Sequence, residues 1–223
     1  MCGQFLVVPK EVVEEIVRDI IMKRMANAMP DWPARKQEAP EDAQPDTPAE
    51  AEPEPQVIKQ SVFPGGEATI IVPTEGSLSA QTMQWGYPVT WNKQVVFNTR
   101  FDTATRPGRN MWADSLANRR CLVPTFGFFE PHQSETFINP RTGKPNKQKY
   151  LFTSPDSPLV FLAGVYERGS FSLMTTEPNS IMLPIHRRMP VILEPREFDT
   201  WLFGDYLSLE DRSSVELLAE KLY

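Results

Sequence analysis

The chain has 223 residues, 40% hydrophobic and 10% aromatic, enough for a sizeable core in one domain of generous size. A net charge of −6 argues against a strongly basic nucleic-acid binder, and no apolar run approaches the ~20 residues of a membrane helix. The opening MCGQFLVVPKEVVEEIV has no basic segment and no small-residue cleavage site, so it does not read as a signal peptide, and the cytosol is the default location.

After MCGQF, apolar residues at Val12, Val13, Ile16, Val17, Ile20, Ile21 and Met25 predict an amphipathic helix over 10–27. Residues 30–56 are rich in Pro, Ala and Glu and predict a flexible acidic insertion within a single domain over 1–223. Eight acids and two bases in residues 31–56 account for the whole net charge, leaving 21 acids and 21 bases elsewhere. A local basic groove is compatible with that balance.

From residue 68 the pattern is strand-like. Ala68–Val72, Val95–Phe97, Cys121–Phe129, Tyr150–Thr153, Leu159–Tyr166, Phe171–Thr176 and Val191–Leu193 are short β-branched and aromatic runs between Gly, Pro and Asn clusters. PRTGKPNKQ over 140–148 reads as a hairpin connection. Short helices are expected near Asn110–Asn118 and Glu197–Phe203, and a final helix from Ser208, with Asp211 in an approximate capping box, to about Leu222. The expectation is an α+β fold with a mainly antiparallel, barrel-like β core and flanking helices.

Two cysteines occur. Cys121, in CLVPTFGFF, reads as buried packing. Cys2 differs, because Met before a small residue is normally trimmed, leaving a free α-amine beside the thiol. With reference pKa values of ~8 and ~8.5, both are partly available near neutral pH. The amine can form a Schiff base with an aldehyde, and the thiol can then close a thiazolidine ring. An accidental Cys at position 2 is the bland alternative. Asn98 and Arg100 in FNTRFDTA, Glu130 at the end of an apolar run and His186 in LPIHRRMPVIL are polar residues in apolar surroundings. Burial would raise the pKa of Glu130 and suit it to move a proton, whereas a satisfied buried hydrogen-bonder is the plainer reading. His132 reads as surface, and Trp85 and Trp201 as core. Two His and two Cys without ligand spacing give no metal site, and no cofactor loop is present.

MCGQF, SVFPGGEATIIV, WGYPVTW, FNTRFDTA, RRCLVPTFGFFEP, FLAGVYE, LMTTEPN and IHRRMPVIL, in that order, resemble the SOS-response-associated peptidase family of abasic-site processing proteins. The resemblance implies a barrel-like α+β fold and covalent capture of abasic sites in single-stranded DNA, without cofactor or membrane, by a monomer. It implies that Cys2 supplies amine and thiol, Asn98 orients it, Glu130 shuttles the amine proton and His186 protonates the opening sugar. Arg100 and Arg109 would hold phosphates, Thr175 would bond one, and Trp91 and Pro64 would contact bases. The family's name implies a self-processing peptidase activity; only Met1 precedes Cys2, which a housekeeping aminopeptidase could remove, and proteolysis of other proteins is not expected. Departures from the family pattern are Gln4 where Arg is usual, Ser61 for Asn, Pro131 for Trp, the acidic insertion and the C-terminal end.

Two rivals remain. A glutamine amidotransferase also begins Met-Cys-Gly, but no Asn-Gly occurs here and the only Gly-Asp, Gly204–Asp205, lies near the end. A noncovalent single-stranded-DNA binding module would make Cys2 irrelevant.

Overall fold

The computed structural model describes residues 2–28, 60–90, 92–108 and 110–222, so the acidic insertion expected over 30–56 lies outside the described residues. The first half of the chain forms β1 (Gln4–Val7), α1 (Lys10–Ala28), β2 (Ser61–Val62), β3 (Glu67–Thr74), β4 (Ser77–Trp85), β5 (Tyr87–Val89), β6 (Asn92–Val96), β7 (Asn98–Arg100), α2 (Phe101–Ala104) and α3 (Ala113–Asn118). The second half forms β8 (Arg120–Ile138), β9 (Pro145–Thr153), β10 (Val160–Glu167), β11 (Ser170–Thr176), β12 (Met189–Pro190), β13 (Ile192–Leu193), α4 (Phe198–Phe203) and β14 (Leu218–Lys221).

Five strands close a circuit: β10 pairs β11, β11 pairs β4, β4 pairs β3, β3 pairs β8, and β8 pairs β10. The seam between β3 and β8 is one residue pair, Ile71 with Leu122. Pairing is antiparallel except where β11 meets β4 and β7. This is the expected α+β fold with a barrel-like β core.

The strands read as continuous apolar runs because both faces are buried. Cys121, Val123, Ile70, Val72, Leu162, Phe171 and Leu173 join Phe5 and Trp85 in one cluster. Their neighbours Leu122, Ile71, Ala163 and Met174 join Val13, Val17, Leu116 and Trp201 in another, covered by α1, α3 and α4. Strand alternation sorts the residues between the two clusters. Trp85, Trp201 and Cys121 are fully buried, as expected. On α1, Val13 and Val17 are buried, whereas Met25 is 59% exposed, so the apolar stripe ends before it.

β8 is the spine of the sheet. Its first part pairs β10, its middle pairs β1, and its end pairs β9 across an irregularity between Pro131 and Thr136. Gly127 makes the bend between these partners, with φ +153° and no room for a side chain: a Cβ there would sit 2.7 Å from the Phe152 carbonyl oxygen. The Thr125 hydroxyl fixes the same bend, donating to the Leu6 carbonyl at 2.6 Å and accepting the Gly127 N–H at 3.1 Å.

Two expectations need correction. The final helix from Ser208 does not form. Tyr206–Leu209 is a single 3-10 turn whose N-cap is Asp205, while Asp211 accepts from the Ser213 N–H. The following segment is extended because tertiary partners claim it. Arg212, 7% exposed, ion-pairs with Glu197 at 2.8 Å, and Asn179 donates to the Val215 carbonyl at 2.7 Å. The chain then adds β14 to the edge of β9. The second correction is β4, whose Ser, Gln and Thr residues conceal a strand anchored by buried Leu78, Met83 and Trp85.

Candidate active site at the N-terminal cysteine

Three elements converge on Cys2. β1 lies against β8 with Gln4 opposite Phe129, so one further step places Glu130 beside the start of the chain. β7 lies parallel to β11 with Asn98 opposite Leu173, and the Phe97 carbonyl before it accepts both the Trp85 indole N–H at 3.0 Å and the Leu173 N–H at 3.0 Å. The third element is the loop after β11. Asn179 Oδ1 accepts the Met182 N–H, the Met182 carbonyl accepts the His186 N–H at 2.8 Å, and the Gln133 N–H of β8 reaches the Ile185 carbonyl at 3.0 Å.

Within this frame Asn98 Nδ2 donates to the Cys2 carbonyl at 2.9 Å. Cys2 is 1% exposed and its thiol donates to the Gln4 carbonyl at 3.7 Å. Burial pushes the thiol pKa well up, and the nearby Glu130 charge adds to the rise. Glu130 is fully buried, and burial raises its carboxyl above the usual range against the opposing pull of the chain's positive amino terminus. His186 Nε2 stands 3.7 Å from Glu130 Oε1. Its Nδ1 stands 3.1 Å from both the backbone N–H and the carbonyl oxygen of Arg188, accepting from the one or donating to the other according to tautomer, which fixes the ring with Nε2 facing Glu130. Burial, then the amino-terminal charge, lowers the His186 pKa. Cys2, Asn98, Glu130 and His186 therefore form one constellation, with a buried acid held up and an imidazole held down in pKa. Such a pair keeps both groups close to exchanging a proton.

The other residues singled out from the sequence divide. Arg100 is on the surface and gripped by Asp102, through Nη2 at 2.8 Å and Nε at 3.2 Å. Pro64 is half-buried in the turn between β2 and β3. Thr175 is fully buried with its hydroxyl donating to the Thr99 carbonyl at 3.3 Å, so the structure does not bring it to the surface. Trp91 and Arg109 lie outside the described residues. His132, read as surface, is half-buried, its Nδ1 accepting the Ser134 and Glu135 N–H groups at 3.2 and 2.8 Å.

Sequence reasoning missed Arg188. It is 6% exposed and donates to Glu177 Oε1 at 2.6 Å, Asp102 Oδ1 at 3.2 Å and the Thr175 carbonyl at 2.7 Å, tying the His186 loop to β11 and to the segment carrying Arg100. The adjacent arginines of IHRRMP were the available signal, and only burial separates one from the other. Lys149 was also missed. Its ammonium donates to Gln4 Oε1 at 2.8 Å and lies 5.8 Å from the Phe129 ring centre, which places a cation beside Gln4. Among the described residues no three His, Cys, Asp or Glu side chains gather to hold a metal, and no helix is long and apolar enough to cross a membrane.

The fold and site together define a barrel-like α+β protein in which Cys2 lies beside Asn98, a buried Glu130 and a half-buried His186. The family model described as SOS response associated peptidase (SRAP) matches residues 1–221, and the chain belongs to that family. It is similar to the abasic site processing protein YedK of Escherichia coli, 25% identical over 173 residues that cover 73% of this chain and 71% of that protein. An abasic site processing protein of Saccharomyces cerevisiae is 28% identical over 153 residues, 62% of this chain, and the match spans only 39% of that protein's length. The corresponding share is 55% for the Bacillus subtilis protein YoqW, at 28% identity over 134 residues. A solved structure from Bordetella bronchiseptica superposes with a TM-score of 0.62 over the whole of both chains at 19% identity. One from Bacteroides thetaiotaomicron gives 0.57 at 24% identity, over 73% of this chain and 77% of that one. Both likenesses concern the fold.

Proposed function

We propose that this protein, once Met1 is removed, captures abasic sites in single-stranded DNA covalently through Cys2. Membership of a family whose relatives are called abasic site processing proteins supports a role in the response to DNA damage. The observation that carries the covalent reading is the Asn98 hydrogen bond to the Cys2 carbonyl, 2.9 Å, beside the buried Glu130 and His186. That arrangement orients the one residue that can offer an amine and a thiol on adjacent carbons.

In the proposed sequence a protonated His186 gives its proton to the ring oxygen of the abasic sugar as the bond from that oxygen to C1′ breaks, and the C1′ hydroxyl loses its proton to water, leaving the aldehyde. Glu130 takes a proton from the Cys2 ammonium, and the neutral amine adds to the aldehyde carbon. The carbinolamine loses water to become a Schiff base. The Cys2 sulfur then adds to that carbon while its proton moves to the nitrogen, so the C=N π bond is replaced by a C–S bond and the thiazolidine ring closes. Holding the reacting groups in place lowers the entropic part of the barrier. Asn98 Oδ1 is buried with no hydrogen-bond partner among the described residues and offers an acceptor to the new amine. Arg100 and Arg109 hold phosphates, and Trp91 and Pro64 meet bases, in the same reading.

The test is a denaturing gel of Met1-free protein incubated with single-stranded DNA bearing one abasic site, with intact DNA, Cys2→Ala and Cys2→Ser as controls. A heat- and detergent-stable band for wild type alone on abasic DNA is the expected result. No band after verified Met1 removal would overturn the reading and leave a noncovalent binder.

A further inference from the structure

The turn joining β2 to β3 presents Phe63 to solvent, 56% exposed, on a backbone that has little freedom to move. Gly65 N–H donates to the Trp85 carbonyl at 2.7 Å, Trp85 N–H returns to the Gly66 carbonyl at 2.7 Å, and Gly66 N–H closes the turn on the Phe63 carbonyl at 2.9 Å. Gln84 Nε2 adds a bond to the Gly65 carbonyl at 3.1 Å. The turn also needs its glycines. Gly65 has φ +92°, and a Cβ on Gly66 would lie 2.8 Å from the Val62 side chain. An exposed aromatic ring on a turn pinned to a central strand makes a recognition element with little ordering cost.

Its position relative to Cys2 follows from register. Phe5 pairs with Val62 and Leu6 with Ser61, so Phe63 follows the residue opposite Phe5 on the side toward Gln4. Gln4 is two residues from Cys2, roughly 7 Å along an extended chain. Beside the ring lies a cavity of about 360 Å³ with apolar walls from Val7, Val62 and Pro64 and a polar rim from Gln60, Ser61 and Glu67. Among the described residues no lysine or arginine lines it, and the Glu67 carboxylate would repel a phosphate. An apolar wall with hydrogen-bonding groups at its edge matches the face and edge of an unpaired nucleobase.

We infer that Phe63 is a base-stacking platform for a nucleotide flanking the captured abasic position, with the adjoining cavity receiving the edge of that base. This rests on the capture reading for its substrate. Stacking is indifferent to base identity, because every base has a π face. Phe63 thus sets the local register of the strand without imposing a sequence.

The test couples the side chain to the base. Capture rates at limiting protein are measured for wild type, Phe63→Ala and Phe63→Trp. Each acts on DNA with both flanking bases present, or with the 5′ or the 3′ flanking base replaced by a base-free spacer. Wild type should lose roughly tenfold on one of the two spacers. Phe63→Ala should show the same loss on intact flanks and none further on that spacer, and Phe63→Trp should restore the wild-type pattern. The inference is overturned if Phe63→Ala stays within twofold of wild type, or if its loss is equal on both kinds of DNA. It is also overturned if the substitution turns a sedimenting dimer into a monomer, since the ring would then belong to a self-association surface. The same coupling measured by anisotropy in a Cys2→Ala background separates this inference from the capture reading. Absence of crosslinks from wild type would refute capture alone, whereas absence of noncovalent coupling, or of any binding, would refute the Phe63 platform.

Discussion

Asn98→Ala removes the donor to the Cys2 carbonyl together with the unpaired Oδ1 offered to the Cys2 amine. The Cys2 carbonyl it serves belongs to a residue 1% exposed, so no solvent donor can replace it without opening the site. Leaving a buried acceptor unsatisfied costs about 1–3 kcal/mol. The chain escapes that cost by letting its first residues swing away. That relief leaves the fold standing, since the strand pairing of β1 begins at Gln4. The positioning of the amine and thiol is then lost. If the full 1–3 kcal/mol must be recovered to reach the reactive arrangement, capture slows by about five- to 150-fold. Thermal unfolding should fall by no more than about 4 °C. Asn98→Asp should be at least as slow, because it sets a carboxylate against the same carbonyl oxygen. The assay is the single-turnover rate of stable adduct formation on abasic single-stranded DNA, with intact mass confirming Met1 removal. A rate within twofold of wild type, at unchanged Tm, would refute the positioning role of Asn98.

Glu130→Gln should split stability from chemistry. Burial raises the Glu130 pKa, so its contribution to stability is full below about pH 4.3 and declines as pH rises through the folded value. The glutamine variant should melt higher than wild type at neutral pH, with the gap closing towards pH 4, while capture slows at least tenfold. His186 has the opposite sign. Its lowered pKa contributes stability above about pH 6.5 that is lost as pH falls through the folded value, so His186→Asn should flatten the acid side of a Tm-against-pH curve. Gly164→Ala brings a Cβ to 2.8 Å from the buried Cys121 sulfur where β8 and β10 pair. The single variant should lose about 1–3 kcal/mol by denaturant unfolding. Adding Cys121→Ala should recover part of that loss as a measurable coupling energy.

Much of this molecule was legible without coordinates. α1 could be read because its apolar residues keep the helical period, and β8, β10 and β11 because both their faces are buried and the sequence there is apolar throughout. Cys2 stood out through chemistry alone, as the residue that Met1 removal turns into an aminothiol. Only the tertiary structure decided the rest. The segment after Ser208 carries helix-forming residues, yet the Arg212–Glu197 pair and the free edge of β9 hold it extended, because local preference is weaker than long-range contacts. β4 was hidden because its polar residues take their place in the sheet through pairing with β3, a partner no local window reveals. The sequence alone could not distinguish Arg187 from Arg188, or show that the Thr175 hydroxyl is used inside the core while Phe63 stands in solvent. Residue type tells what a side chain can do. Burial and partners, which depend on strands distant in sequence meeting, determine what it is free to do.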